Sequence, residues 1–171
     1  SRSVQRVTTE GAEWTLTARA VGGSALRWDP VTLPQGFRLW IEVGDATYDM
    51  SRERQATLPD GVQRLRVYAT WKAPSTTRLL ANYPNPFNPE TWIPFELTQA
   101  SDVTIRVYDM GGAVVRTLEL GYREPGYYTD HANAAYWDGS NDLGERVGSG
   151  TYFYALDAGD AASMRRMVIL K

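Results

Sequence analysis

The strongest constraint on the chain is the run Asn82-Tyr83-Pro84-Asn85-Pro86-Phe87-Asn88-Pro89, followed by Glu90-Thr91-Trp92-Ile93-Pro94-Phe95. Pro84, Pro86 and Pro89 remove three backbone donors and fix three φ angles, and each residue before a proline is pushed away from helical geometry. No helix can pass through this stretch. A solvated linker would carry few large apolar groups, yet Tyr83, Phe87, Trp92, Ile93 and Phe95 punctuate it. It reads as a stiff, extended lead-in, pinned by its aromatics to a β-sandwich whose first strand it becomes.

On both sides of this run the apolar residues alternate with period two, the mark of half-buried strands. Upstream, Trp14, Leu16, Ala18 and Ala20 share one phase, and a Gly22-Gly23 turn leads to Leu26 and Trp28, stopped by Asp29-Pro30. Phe37, Leu39, Ile41 and Val43 alternate with Arg38, Trp40 and Glu42, and Leu65, Val67, Ala69 and Trp71 follow the Pro59-Asp60-Gly61 turn. With weaker segments at 47–50 and 55–58, this gives five or six strands at a spacing of about 10 residues, as in a small antiparallel sandwich. The aperiodic stretch 72–78 marks a boundary. Downstream, Ile93, Phe95 and Leu97 form one strand, and Val103, Ile105 and Val107 form the next after a bend at Ala100-Ser101-Asp102. Further strands are expected at 114–118, near Tyr136, at 151–156 and at 163–170, the last two joined through Asp157-Ala158-Gly159-Asp160. Residues 121–134 read as one long loop. The expected fold class is all-β: two small antiparallel β-sandwich domains, immunoglobulin- or fibronectin-like, in tandem. Residues 1–72 form the first, 73–79 the linker and 80–171 the second.

Composition agrees with this class. The chain of 171 residues is 43% hydrophobic and 12% aromatic, with 15 Gly and 9 Pro spread between short apolar runs, which suits short strands joined by turns. Lys and Arg number 18 against 20 Asp and Glu, a formal net charge of -2, so no global field favours nucleic acid or an anionic membrane. The absence of cysteine excludes a disulfide scaffold, thiolate catalysis and cysteine-ligated zinc. No apolar run approaches the roughly 20 residues of a transmembrane helix. Ser1 is not preceded by a basic and apolar leader, so the expectation is a C-terminal part of a longer exported protein.

Few residues invite chemistry. His131 is the sole histidine, which leaves no triad and no multi-histidine metal centre to build. The stretch Asp138-Gly139-Ser140-Asn141-Asp142-Leu143-Gly144-Glu145 is rich in acceptor oxygens, but Leu143 stands where the calcium loop of an EF-hand needs its invariant glycine. It reads as a β-turn in which Asp138 and Asn141 bond nearby backbone amides. Gly148-Ser149-Gly150 lacks the lysine and following helix of a phosphate cradle and reads as the start of a strand. No catalytic residue, metal or cofactor is expected. Trp14 and Trp28 share the phase of core aliphatics, whereas Trp40 has the opposite phase. Trp40, with Trp92, is therefore a candidate for a surface patch, and Tyr122, Tyr127 and Tyr128 of the long loop are candidates for a contact surface.

Five motifs stand in order along the second half. They are Leu80-Ala81-Asn82 through Pro89, Val103 to Asp109 with Gly111-Gly112, Trp137-Asp138-Gly139, Ser149-Gly150-Thr151-Tyr152, and Arg166-Met167-Val168-Ile169-Leu170-Lys171. Together they resemble the C-terminal sorting domain of secreted bacterial proteins, a family associated with type IX secretion. Its immunoglobulin-like fold is similar to a domain of the flagellar hook-capping protein. The resemblance covers about residues 79–171 and leaves 1–78 unassigned. It implies a non-catalytic C-terminal sorting or attachment module of a larger secreted or cell-surface bacterial protein. Such a module is carried behind upstream domains of the same polypeptide and recognised by an outer-membrane secretion apparatus. The positions that match the family pattern are Pro84, Asn85, Pro86, Asn88, Pro89, Gly150, Tyr152 and Lys171; Thr98-Gln99 departs from the Leu-Pro often found there. A second reading is a tandem β-sandwich binding or spacer module that displays an upstream domain and touches polysaccharide or protein through Trp40 or the tyrosines.

Overall fold

The computed structural model describes residues 12–21, 23–30, 32–159 and 161–171. Gly22 of the expected Gly22-Gly23 turn, Asp160 of the last hairpin turn and residues 1–11 of the expected first domain lie outside the described residues. The chain divides into two compact units, the first ending at Lys72 and the second comprising Ala73–Lys171.

The first unit contains β1 (Glu13–Ala20), β2 (Ala25–Arg27), β3 (Phe37–Val43), β4 (Ala46–Asp49), β5 (Gln55–Thr57) and β6 (Gly61–Trp71). Strands β1-β6-β3-β4 form one antiparallel sheet, and β2 pairs with β5. The period-two pattern sends Ala20, Ile41, Val43 and Leu65 inward against Met50, Ala56 and Leu58. Trp28 packs on this core and donates its indole N–H to the Glu53 carbonyl, 2.8 Å. Trp14, expected in the core, is only half-buried, and Leu16 in the same phase is 40% exposed. Trp40 lies on the opposite face, half-buried, with its indole N–H on Thr70 Oγ1, 2.9 Å.

Residues 51–54 are organised by the buried Asp49. Its carbonyl accepts from the amides of Arg52 and Glu53. Its Oδ1 accepts from the Ser51 amide (2.9 Å) and hydroxyl (2.5 Å), and Arg38 and Arg52 stand 3.6 and 3.7 Å from Oδ2.

The second unit contains β7 (Arg78–Leu79), β8 (Thr91–Ile93), β9 (Phe95–Leu97), β10 (Ser101–Tyr108), β11 (Val114–Arg123), β12 (Gly126–Tyr128), β13 (Ala135–Trp137), β14 (Gly150–Ala158) and β15 (Ala161–Ile169). One layer is the sheet β11-β10-β14-β15; the other combines β12-β9-β7 with the pair β13-β8. The expected strand through Ile93, Phe95 and Leu97 is split because Pro94 has no amide to add to a ladder: β8 pairs with β13 and β9 with β7 and β12. Val103, Ile105, Val107, Tyr154, Leu156, Met167 and Ile169 from the first layer meet Leu79, Ile93, Phe95, Leu97, Ala135 and Trp137 from the second. Arg78 places Nε and Nη2 on one oxygen of the buried Glu96, at 2.9 and 2.7 Å.

Two expectations are corrected. The proline-rich run is not an extended lead-in. Tyr83 and Trp92 exchange backbone hydrogen bonds of 2.9 and 2.8 Å, so the chain between them doubles back, and the peptide bonds before Pro84, Pro86 and Pro89 are all cis. Nor is 121–134 one open loop. Gly121, at φ +70°, sits where the β10–β11 register shifts, so the strand passes through a bulge and runs on to Arg123. Then β12 follows, and the excursion shrinks to the turn between Tyr128 and Ala135.

Tyr154 ties the layers together. Its buried hydroxyl donates to the Leu80 carbonyl and accepts from the Asn82 amide, both at 2.9 Å. Burial raises its phenol pKa, against the opposing pull of the Asn82 amide and Arg165, so the neutral form persists. Tyr154→Phe strands both backbone groups and is expected to cost about 1–3 kcal/mol. Tyr152→Phe, whose hydroxyl reaches only the Gly148 carbonyl at the surface, should cost about 0.5–1.5 kcal/mol; urea unfolding of the two variants measures the contrast. In the first unit, the Ser51 hydroxyl, then the Ser51 amide, Arg38 and Arg52, hold the Asp49 carboxyl below the ordinary aspartate range against the effect of burial. A depressed carboxyl stabilises above the unfolded value of about 3.9 and loses that contribution as pH falls through its lower folded value. The stability difference between wild type and Asp49→Asn is therefore expected to be full at neutral pH and to shrink below about pH 4, as thermal melts across that range would record.

Candidate functional site

The motifs that lie far apart in sequence meet at one place in the second unit. Phe87, at the centre of the proline-rich loop, is 2% exposed. Its amide donates to the Val168 carbonyl (3.1 Å) and its carbonyl accepts from the Leu170 amide (3.1 Å), a parallel bridge onto the outer edge of β15. Asn85 adds a side-chain rung, its Oδ1 accepting from the Val168 amide at 3.0 Å. The loop thereby covers the end of an edge strand whose free amides and carbonyls would otherwise face solvent.

Beneath it, the Phe87 ring meets the edge of Trp137 at 5.7 Å, and Trp137 meets Tyr152 at 5.9 Å. Trp137 is buried and its indole N–H is satisfied by the Ser140 carbonyl, 2.8 Å. Gly139, two residues on, has φ +76°, and a Cβ there would stand 2.5 Å from the Pro89 carbonyl oxygen. Only glycine permits both the backbone conformation and the approach.

Each family-pattern position has a definite place. The Pro84 carbonyl accepts from Asn82 Nδ2 (3.2 Å) and Thr91 Oγ1 (3.0 Å), closing the base of the loop, while Pro86 and Asn88 are exposed. Gly150 pairs with Ile169 at the start of β14. The Lys171 amide donates to Ser149 Oγ at 3.0 Å, and its ammonium to the Val147 carbonyl. The structure thus brings Asn85, Pro89, Gly150, Tyr152 and Lys171 to one end of the sandwich around Phe87, Trp137 and Gly139.

The candidate contact tyrosines of the second unit are not brought together. Trp40 belongs to the first unit, and Tyr122 is 62% exposed on β11. Tyr127 and Tyr128 are half-buried on β12 in the other layer; the Tyr128 ring stacks on Phe95 at 4.6 Å and 9°. Trp92 has more company than its sequence neighbours suggested. Tyr83, Tyr136 and His131 surround it on the outer face, a grouping that depends on the β8–β13 pair, on the Tyr83–Trp92 bridge and on the turn after β12.

The acceptor-rich turn uses its oxygens on backbone amides, its own and that of Thr117 on β11. Asp138 Oδ1 accepts from the Ser140 amide, Asn141 Oδ1 from Leu143 and Glu145, and Asp142 Oδ1 from Thr117. Among the described residues no three His, Asp or Glu side chains converge as a metal requires. A cleft of about 400 Å³ lies beside this turn, lined by Asp109, Asn141, Asp142, Leu143 and Tyr152 among others. Asp109 is spent likewise, on the amides of Gly111 and Ala113. The described residues hold no helix long and apolar enough to cross a membrane.

Gly139→Ala combines left-handed strain with a backbone clash and is expected to destabilise the second unit by about 3 kcal/mol or more. Gly144→Ala, at φ +82° with open space around it, should cost about 1–2 kcal/mol. Denaturant titration followed by tryptophan fluorescence distinguishes the two.

The profile of the FlgD Ig-like domain family matches residues 88–162, less than half of the chain. No curated protein sequence matches it. Among solved structures, PorZ of Porphyromonas gingivalis, described as an essential bacterial surface component of the type-IX secretion system, is similar at 16% identity and a TM-score of 0.40. The match covers 68% of this chain and 15% of that one. Dimeric latent PorU of the same organism is similar at 13% identity and a TM-score of 0.40, covering 95% of this chain and 18% of that one. The chain spans less than a fifth of the length of either. Its fold class is all-β, two β-sandwiches in tandem, the second carrying the match to the FlgD Ig-like domain.

Proposed function

We propose that this chain is the non-catalytic C-terminal sorting and attachment module of a larger secreted or cell-surface bacterial protein, recognised by an outer-membrane secretion apparatus of the type IX kind. The observation that carries the reading is the convergence of four separate motifs on a single end of the second sandwich, built around Phe87 on the β15 edge. A receptor that reads shape needs a fixed surface, and this end supplies one from backbone hydrogen bonds and packed rings. Its polar groups are spent on holding loops, which suits a surface recognised by its shape. The match of 88–162 to an immunoglobulin-like family supports the same reading, since such domains commonly act as display and contact modules.

The test places the whole 171-residue chain behind a reporter enzyme in a bacterium that has the type IX apparatus and measures reporter activity outside the cell. Export is expected with the intact chain and is lost when residues after Gly150 are removed. Asn85→Ala with Phe87→Ala, which releases the loop from β15, should reduce export while the reporter stays active inside. Export that persists unchanged after removal of the last strands would overturn the sorting role.

A further inference from the structure

The outer face of the second layer carries aromatic side chains that the motif cluster does not use. Tyr83 stands opposite Trp92 across an isolated bridge, and Trp92 stands opposite Tyr136 across the β8–β13 pair, so three rings from two paired strands and the bridged segment beside them form a row. Their centroids lie 6.3 and 5.5 Å apart. The alternate residues Ile93, Ala135 and Trp137 point into the core, which fixes the row on the outside, and Tyr136 is 47% exposed. His131, exposed on the turn after β12, lies flat on Trp92 at 4.0 Å and 12°, with Tyr83 at 5.2 Å.

The surroundings are acidic. The Tyr136 hydroxyl donates to Glu90 Oε2 at 2.7 Å, and Asp130 caps the turn that carries His131 through the amides of Ala132 and Asn133. The phenol of Tyr83 is raised by burial and then by the charge of Asp130. That of Tyr136 is raised by the Glu90 hydrogen bond, by burial and by the charges of Glu90 and Asp138, with Arg146 opposing. Three carboxylates therefore act on the rings against one guanidinium, and Arg146 already donates to the Asp138 carbonyl. Aromatic faces present the negative side of their quadrupole, so faces bordered by carboxylates attract a cation and repel an anion. A neutral sugar carries no net charge for that field to attract. A guanidinium is planar, a shape that stacks flat on an aromatic face as His131 does on Trp92.

We propose that the Tyr83–Trp92–Tyr136 face, with Glu90 and Asp130 at its rim, is a docking site for an arginine side chain presented by a partner peptide. The guanidinium stacks on the exposed part of the row beside His131 and donates to the Glu90 carboxylate. This surface is distinct from the motif cluster and stands or falls independently of the sorting reading.

The test titrates the full chain, labelled for NMR, with the peptide Gly-Arg-Gly-Arg-Gly and with its counterpart bearing citrulline, which keeps the planar shape and loses the charge. Saturable shifts at the Trp92 indole, Tyr136 and His131 are expected, with the citrulline peptide about tenfold weaker or worse and with binding weakened by added salt. Tyr136→Ala and Glu90→Gln, both at exposed positions and checked for unchanged thermal melting, should each weaken the arginine peptide. Equal binding of the two peptides, no saturation by the arginine peptide, or indifference to both substitutions would overturn the proposal. So would tighter binding of a neutral hexasaccharide at the same resonances.

Discussion

The second unit depends on a contact that a single methyl group would prevent, the approach of the Gly139 backbone to the Pro89 carbonyl. Because nothing projects from residue 139, the segment 137–140 lies directly under the proline-rich loop. Trp137 then fills the space below Phe87, and Phe87 reaches the edge of β15. Remove that approach and the loop, the Trp-Asp-Gly turn and the last strand lose their common support. Protein interiors are packed too tightly to absorb such a shift elsewhere.

Around this contact the buried polar groups are tied to one another. Asn82 and Thr91, both buried, bond each other at 2.9 Å and share the Pro84 carbonyl, and Tyr154 takes the Asn82 amide and the Leu80 carbonyl. The three prolines leave the loop short of backbone donors, and the Pro84 carbonyl takes its hydrogen bonds from side chains instead. The charged pairs of the first unit have a lesser role. Arg66 bridges Glu13 and Glu42 and lies over Tyr68, but these partners are solvated and such pairs contribute little each.

Much of this fold was legible in the sequence because strands with one buried face announce themselves by alternation. The inward phases of Ile41 and Val43, of Val103, Ile105 and Val107, and of Ile93, Phe95 and Leu97 were all visible, and all are buried. Local pattern failed where the outcome depended on a distant partner. The bulge at Gly121 turned an expected loop into strand, because β10 lay alongside to pair with it. The reversal between Tyr83 and Trp92 follows from bonds made across nine residues, and the composition of the run pointed only to stiffness. For the same reason the row Tyr83–Trp92–Tyr136 was hidden, since only the pairing of residues far apart in sequence sets the three rings side by side. The motif residues themselves were recognisable; that Pro89 needs Gly139 beneath it was not.

The rungs between Asn85 or Phe87 and Val168–Leu170 join stretches separated by more than eighty residues, nearly the whole length of the unit. Contacts of such long range come late, since the intervening chain must be closed before they contribute. During synthesis the proline-rich loop leaves the ribosome long before its partner exists, and the sandwich cannot seal until residues 168–170 have followed. Until those residues emerge the proline-rich loop has no edge to pair with, so the covering of β15 is the closing step of this unit rather than its nucleus.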